Sequence, residues 1–269
     1  MRLPRTVKRA VRGGLRRLGY DVVPYSPPGE TSTSAPVART LEMAGWLSSL
    51  GIRTVLDIGA HEGEFANLIR AVLPAARIVS FEPLPDCFAA LEANMHGVSG
   101  FSAYNVALGD HDGVTPLYRS DYTPSSSLLS MADRHKSAFP FTVGGRQEQV
   151  QVRRLDGLAG SLALDPQILM KIDVQGYEHR VIAGAERVVE ASVLVIVETS
   201  FETLYHGQEL FDGVYALLRR RGFSYVGSFA QLNDPVDGQV LQQDSMFLHD
   251  AAAATGYRQP LRRDDRAYD

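Results

Sequence analysis

Short apolar runs alternate with stripes of helical period along most of the chain. Val55, Leu56 and Ile58 form the run of a strand covered on both faces. From Glu62 the period changes, and Phe65, Leu68, Ile69 and Val72 recur at helical spacing until Pro74. Ile78 to Phe81 makes a second strand, and Phe88, Leu91 and Met95 mark a helix ending near Gly97. Phe101 to Leu108 reads as one third strand, closed by Gly109-Asp110. Strand and helix in this alternation predict a parallel sheet built by right-handed crossovers.

The rhythm breaks over 112–155, where short β-like pieces (Val114 to Tyr118, Val150 with Val152) surround Pro124-Ser125-Ser126-Ser127-Leu128. Long insertions of this kind commonly bind or cover ligands. Ile168 to Ile172 then predicts a fourth strand and Val193 to Val197 a fifth. Val181, Ile182, Ala185, Val188 and Val189 carry the helix between them. Phe211, Val214, Leu217 and Leu218 mark a last helix, and strands near 223–229 and 244–249 close the sheet.

The two ends differ in character. Leu3, Val7, Val11, Leu15 and Leu18 predict a basic amphipathic helix, followed by a Pro/Ser/Thr-rich linker from Pro24 to Pro36. Such a helix suits attachment to an anionic surface or a partner, or packing on its own domain or a second subunit. The expected organisation is therefore 1–36 helix and linker, 37–250 α/β domain, and 251–269 polar tail. Val37, Leu41, Ala44 and Leu47 open the α/β domain as a helix stripe, with Trp46 expected in the core.

Charge sharpens this division. Of the formal net charge of −4, the first twenty residues contribute +7, so the remainder carries −11. An acidic body argues against nucleic acid as a partner. One cysteine, Cys87, excludes an internal disulfide and favours a reducing, cytoplasmic setting. No apolar stretch reaches membrane-spanning length, and no secretory signal is evident, so any membrane contact is expected to be peripheral, at the inner face.

Four acids, Asp57, Glu82, Asp173 and Glu198, are expected at the carboxyl ends of four successive sheet strands, each directly after apolar strand residues, at the edge where open α/β sheets bind ligands. Asp57-x-Gly59-x-x-x-Gly63 differs from GxGxxG, because Asp57 stands where the first glycine belongs. A carboxylate there repels a pyrophosphate and disfavours a nicotinamide dehydrogenase. It suits S-adenosylmethionine, which has an ammonium, a sulfonium and a ribose. Glu82, 25 residues after Asp57, stands where ribose hydroxyls are held. Gly59 and Gly63 are expected to bring the backbone close to the ligand.

Val55-Leu56-Asp57-Ile58-Gly59-Ala60-His61-Glu62-Gly63 with Phe81-Glu82-Pro83, Ala107-Leu108-Gly109-Asp110 and Lys171-Ile172-Asp173-Val174-Gln175-Gly176-Tyr177-Glu178 resembles the FkbM family of class I S-adenosylmethionine-dependent methyltransferases. The resemblance covers about 50–250 and implies a Rossmann-like α/β fold. Its sheet would be seven-stranded and mostly parallel, with helices on both faces and an antiparallel last strand. It also implies O-methylation of a small-molecule, glycan or glycolipid hydroxyl, with a macrolide or polyketide acceptor as alternative. His61 stands where the family often has Asn.

By that resemblance Asp57, Gly59 and Ala60 line the methionine part of the cofactor. Glu82 and Pro83 lie at the ribose, Asn105 to Ala107 beside the adenine, and Asp173 near the sulfonium. A hydroxyl acceptor must also lose a proton, for which Asp173, Glu198 and His206 are the candidates by chemistry. His135 and His179 are expected at the surface, and Glu178 as a helix-opening acid. Without a compact ligand motif such as HExxH, a required divalent ion is the minor alternative and no metal site is assigned. A non-catalytic cofactor-binding assembly protein is the competing class, and a homo-oligomer is left open.

Overall fold

The computed structural model describes residues 43–254. The expected basic helix and linker of 1–36, the first part of the expected Val37–Leu47 stripe (37–42) and residues 255–269 of the expected 251–269 tail lie outside the described residues, whereas the first residues of that tail are helical. The chain runs helical over 43–49 (α1), then β1 (Thr54–Ile58), α2 (Glu64–Val72), β2 (Arg77–Phe81), α3 (Pro85–Asn94), β3 (Phe101–Tyr104) and β4 (Ala107–Leu108). β5 (Gly113–Ser120), α4 (Asp133–Ala138), β6 (Gly145–Arg153) and α5 (Leu155–Leu158) follow. Then come β7 (Ile168–Ile172), α6 (Glu178–Gly184), α7 (Glu186–Glu190), β8 (Ser192–Ser200), α8 (Phe211–Arg219), β9 (Phe223–Asn233), β10 (Val240–His249) and α9 (Asp250–Ala254).

The main sheet has seven strands in the order β3-β2-β1-β7-β8-β10-β9. β3, β2, β1, β7 and β8 are parallel, and β10 is antiparallel to both its neighbours. Alternate residues of each central strand enter two separate cores. Leu56, Met170 and Val195 pack with Val181, Ile182, Val188 and Val214 from α6, α7 and α8. Val55, Leu169 and Leu194 pack with Leu47, Ile69 and Leu91 from α1, α2 and α3. Burial on both faces explains why these strands are continuous apolar runs. Trp46 packs, partly buried, on the second core.

Two expectations are corrected. The third strand is not continuous from 101 to 108: the ladder with β2 ends at Tyr104, and β4 joins a separate three-stranded sheet in the order β4-β6-β5. The insertion is also more ordered than short β-like pieces imply. β5 and β6 pair antiparallel over eight positions from Gly113–Val152 to Ser120–Gly145, and the 123–142 segment is carried between them. Among the described residues no helix is long and apolar enough to cross a membrane.

Candidate active site

The strand-end acids meet at the carboxyl edge of β2, β1, β7 and β8. Because strand residues alternate between faces, Asp57 shares a face with Val55, and Lys171 with Leu169. Ser80, Asp57 and Lys171 stand in register across three parallel strands. One step further, Asp244 of β10 stands opposite Glu198 of β8. Glu198 lies just past the last residue of β8 that pairs with β7, so the parallel ladder ends where the acid begins.

On the β1–β2 side the backbone does most of the construction. The N–H groups of Gly59 and Ala60 both donate to the Phe81 carbonyl at 3.0 Å. Glu82 accepts from the His61 N–H at 2.9 Å through Oε2 and from the Leu84 N–H at 2.9 Å through Oε1. Gly59 has φ +80°, and a Cβ there would lie 1.8 Å from the Asp173 carbonyl oxygen. What approaches Gly59 is thus the backbone after β7, so this glycine joins two strand ends.

A cavity of about 280 Å³ opens over this edge. Asp57, Gly59, Ala60, Glu82, Pro83, Ala107 and Asp173 all line it, with Lys171 and Gln175. Asn105 does not: it is exposed and donates to the carbonyls of Glu82 (2.9 Å) and Pro83 (3.0 Å), bracing the turn from outside. The insertion closes the cavity with Thr123, Pro124, Ser126, Ser127 and Leu128. His61 ties the two together, its Nε2 lying 2.9 Å from Thr123 Oγ1.

The cavity suits the cofactor that Asp57 and Glu82 suggest. Glu82 is 5% exposed, and no lysine or arginine pairs with it among the described residues. Each of its oxygens accepts one backbone N–H, leaving capacity for hydroxyl donors such as those of a ribose. Burial raises the Glu82 carboxyl and pushes Asp57 up to about 7. A cationic ligand beside Asp57 would restore its charge.

On the β7–β8–β10 side, side chains do the construction. Buried Lys171 donates to Asp173 Oδ2 at 2.9 Å and Asp244 Oδ1 at 3.1 Å. Burial works against its ammonium, but Asp173, Asp244 and Glu198 overcome it and hold its pKa well above the ordinary lysine range. The Gln175 amide donates to Asp173 Oδ1 at 2.9 Å and to both Glu198 oxygens at 3.2 and 3.0 Å. Burial, then Asp173, Glu178 and Asp244, push the Glu198 carboxyl well above the carboxylate range, with Lys171 opposing. Glu178 accepts the N–H groups of Val174 and Gly176 and shapes the turn after β7.

His206 is not brought to the site. It is exposed, and its N–H donates to the Ser130 carbonyl. The neighbouring Tyr205 points inward instead, 1% exposed, with its hydroxyl 2.8 Å from Gln175 Oε1 and 3.1 Å from the Ser125 carbonyl oxygen. The expectation of a surface His135 is corrected: it is 2% exposed, packed edge-on against Phe139 and Tyr205. Neither of its ring nitrogens finds a hydrogen-bond partner, and burial lowers it to about 4. His179 is half-buried. Cys87 is buried, and burial pushes its thiol up to about 11, which disfavours the thiolate that a nucleophile needs. Among the described residues no cluster of three His, Cys, Asp or Glu side chains is arranged to hold a metal.

Sequence reasoning missed Lys171, Gln175, Tyr205 and Asp244. Lys171 left a signal, as the one charge inside Ile168-Leu169-Met170-Lys171-Ile172, every residue of which is buried. Asp244 left a fainter one, inside a buried closing strand. Nothing local marks Tyr205.

The methyltransferase FkbM domain family matches residues 57–225, which hold all of this site except Asp244. The chain is 28% identical over 202 residues to the 2-O-methyltransferase NoeI of Sinorhizobium fredii, covering 71% of this chain and 79% of that protein. It is 28% identical over 199 residues to the 31-O-demethyl-FK506 methyltransferase FkbM of Streptomyces tacrolimicus, covering 64% and 73%. A solved magnesium protoporphyrin IX methyltransferase from Synechocystis with bound S-adenosylmethionine aligns at TM-score 0.44 and 11% identity, covering 93% of this chain and 100% of that one. This chain belongs to the FkbM family of S-adenosylmethionine-dependent methyltransferases.

Proposed function

We propose that the protein methylates a hydroxyl of a sugar, in a glycan or a glycolipid. The observation that carries this reading is the pair Asp173 and Glu198, joined through one amide beside the cofactor cavity. When bound, the cofactor supplies an electrophilic methyl group on a sulfonium. The chain supplies orientation of the acceptor and a destination for its proton. Glu198, which does not line the cavity itself but is joined to its wall through Gln175, takes that proton in its ionised form, which burial and the neighbouring acids make a stronger base than an ordinary carboxylate. Asp173, lining the cavity and held by Lys171, directs the acceptor oxygen. His206, exposed on its loop, is given no part.

A second cavity, of about 490 Å³, supports a hydroxylated acceptor. Tyr118, Ser130, Arg146, Gln147 and Tyr205 line it, offering aromatic faces and hydrogen-bonding groups of the kind that suit sugar rings. The name of the relative NoeI, a 2-O-methyltransferase, is consistent with a hydroxyl acceptor. For a lipid-linked acceptor, the seven basic residues among 1–20 would supply contact with an anionic surface.

The test is transfer of labelled methyl from S-adenosylmethionine to a panel of glycans, glycolipids and macrolides. Labelled sugar methyl ethers support the reading, and product on the macrolides alone replaces it. Cofactor binding without transfer to any class would favour an assembly role. Co-sedimentation of the full chain and of residues 37–269 with anionic vesicles tests the membrane clause, which equal binding removes.

A further inference from the structure

The Gln175 side chain uses every hydrogen-bonding group it has. Its Nε2 carries two hydrogens, and these reach Asp173 Oδ1 and the two Glu198 oxygens. Its Oε1 accepts from the Tyr205 hydroxyl at 2.8 Å. Turning the amide over would set its oxygen against three carboxylate oxygens, a repulsion that the Tyr205 hydroxyl cannot relieve by turning its one hydrogen to the Ser125 carbonyl. One orientation is therefore strongly preferred.

The backbone of Gln175 is equally constrained. It lies in the left-handed region at φ +56°, which non-glycine residues rarely adopt. Glu178 Oε1 accepts the N–H on either side of it, from Val174 and Gly176. Gly176, at φ +96°, leaves room for Tyr205, since a Cβ there would fall 2.9 Å from the Tyr205 Cβ. The Gln175 carbonyl accepts from Ser127 Oγ at 2.7 Å, and Tyr205 also reaches the Ser125 carbonyl. The serine run of the insertion is thus secured at Gln175 directly and through Tyr205.

We propose that Gln175 is the positioning residue for methyl transfer, fixing the Asp173–Glu198 pair through its amide and tying that pair to the insertion through its two carbonyl oxygens. This deepens the proposed function and rests on Glu198 as proton acceptor. The groups facing Glu198 are Lys171 and Asp173 from the end of β7, Glu178 from α6, Asp244 from β10 and Tyr205 from the 201–210 loop. Lys171 places its hydrogen bonds on Asp173 and Asp244. Among the described residues, the Gln175 amide is the side-chain donor that reaches Glu198. Donation to a carboxylate favours its charged form and opposes burial and the neighbouring acids. Gln175 therefore favours the ionised form of Glu198 while holding the pair in place.

The test is carbon-13 NMR titration of the Glu198 carboxyl, assigned with Glu198→Gln, in wild type, Gln175→Met and Tyr205→Phe. Circular dichroism checks that each variant is folded. Gln175→Met keeps the volume and removes the donors, and should raise the Glu198 midpoint by on the order of one pH unit. Tyr205→Phe leaves the amide in place but frees its far end, so the midpoint should move the same way by less. An unmoved midpoint in Gln175→Met overturns the proposal, and an unmoved one in Tyr205→Phe overturns the part of the tie that runs through Tyr205. The titration needs no turnover. A moved midpoint with an unaltered pH–rate profile would therefore reject Glu198 as proton acceptor, separately from the role of Gln175.

Discussion

The two halves of the sheet edge solve the same problem with different materials. Around β1 and β2, backbone N–H groups hold the turns: Gly59 and Ala60 bond to Phe81, and His61 and Leu84 to Glu82. Around β7, β8 and β10, Lys171, Asp173, Gln175, Glu198, Asp244 and Tyr205 hold one another. The Gly59 and Ala60 bonds to the Phe81 carbonyl involve no side chain and survive the loss of Glu82, which frees only the His61 and Leu84 N–H groups. A half built from linked side chains transmits the loss of any member to the others. The first arrangement suits a constant cofactor, and the second suits chemistry that depends on a few protons.

The largest effect should come from the side-chain half. Glu198→Gln keeps the shape and removes the base, so methyl transfer should fall by about 100- to 10,000-fold with cofactor affinity unchanged. Single-turnover assays with calorimetry check both clauses. Next, Glu82→Ala removes the acceptor for the cofactor's hydroxyls, and the Kd for S-adenosylmethionine should rise by about 10- to 100-fold. Circular dichroism should show its fold intact, because the Gly59 and Ala60 bonds to the Phe81 carbonyl remain although the His61 and Leu84 N–H groups lose their acceptor.

Smaller effects concern stability. Burial raises Asp57 to about 7, so the folded cofactor-free protein holds this proton more tightly than the unfolded chain. That contribution is full below about pH 4 and is lost as pH rises through about 7. Asp57→Asn should raise Tm at pH 8 by a few degrees, change it little at pH 4, and weaken cofactor binding. His135 runs the other way: lowered to about 4, it resists the proton that the unfolded chain takes up below about 6.5. Its contribution is present above that pH and lost as pH falls towards 4. His135→Leu should flatten this acid loss in thermal melts, with little change at pH 8.

The sequence disclosed the backbone-built half more fully than the other. Val55 to Asp57 and Ile78 to Glu82 are short, buried on both faces, and close to glycine or proline, so pattern alone locates them. Pattern also placed Asp173 and Glu198, because each follows an apolar run. It did not show that Gln175 joins them, since that contact depends on a left-handed backbone and a tyrosine 30 residues away. His206 stands out in the sequence because a loop histidine carries familiar chemistry, whereas Tyr205 does not, since the direction of a side chain in a loop has no period to reveal it. Asn105 shows the same limit: its position was legible, but its side chain faces the Glu82–Pro83 backbone. The insertion was opaque because β5 and β6 pair residues up to about forty positions apart, with most of β6 exposed.

The division between a cofactor half and a proton-transfer half is tested most directly by calorimetric titration of S-adenosylmethionine into wild type, Glu82→Ala and Glu198→Gln. Binding should weaken in Glu82→Ala and stay at the wild-type level in Glu198→Gln. Wild-type affinity in Glu82→Ala, or lost affinity in a folded Glu198→Gln, would contradict that division.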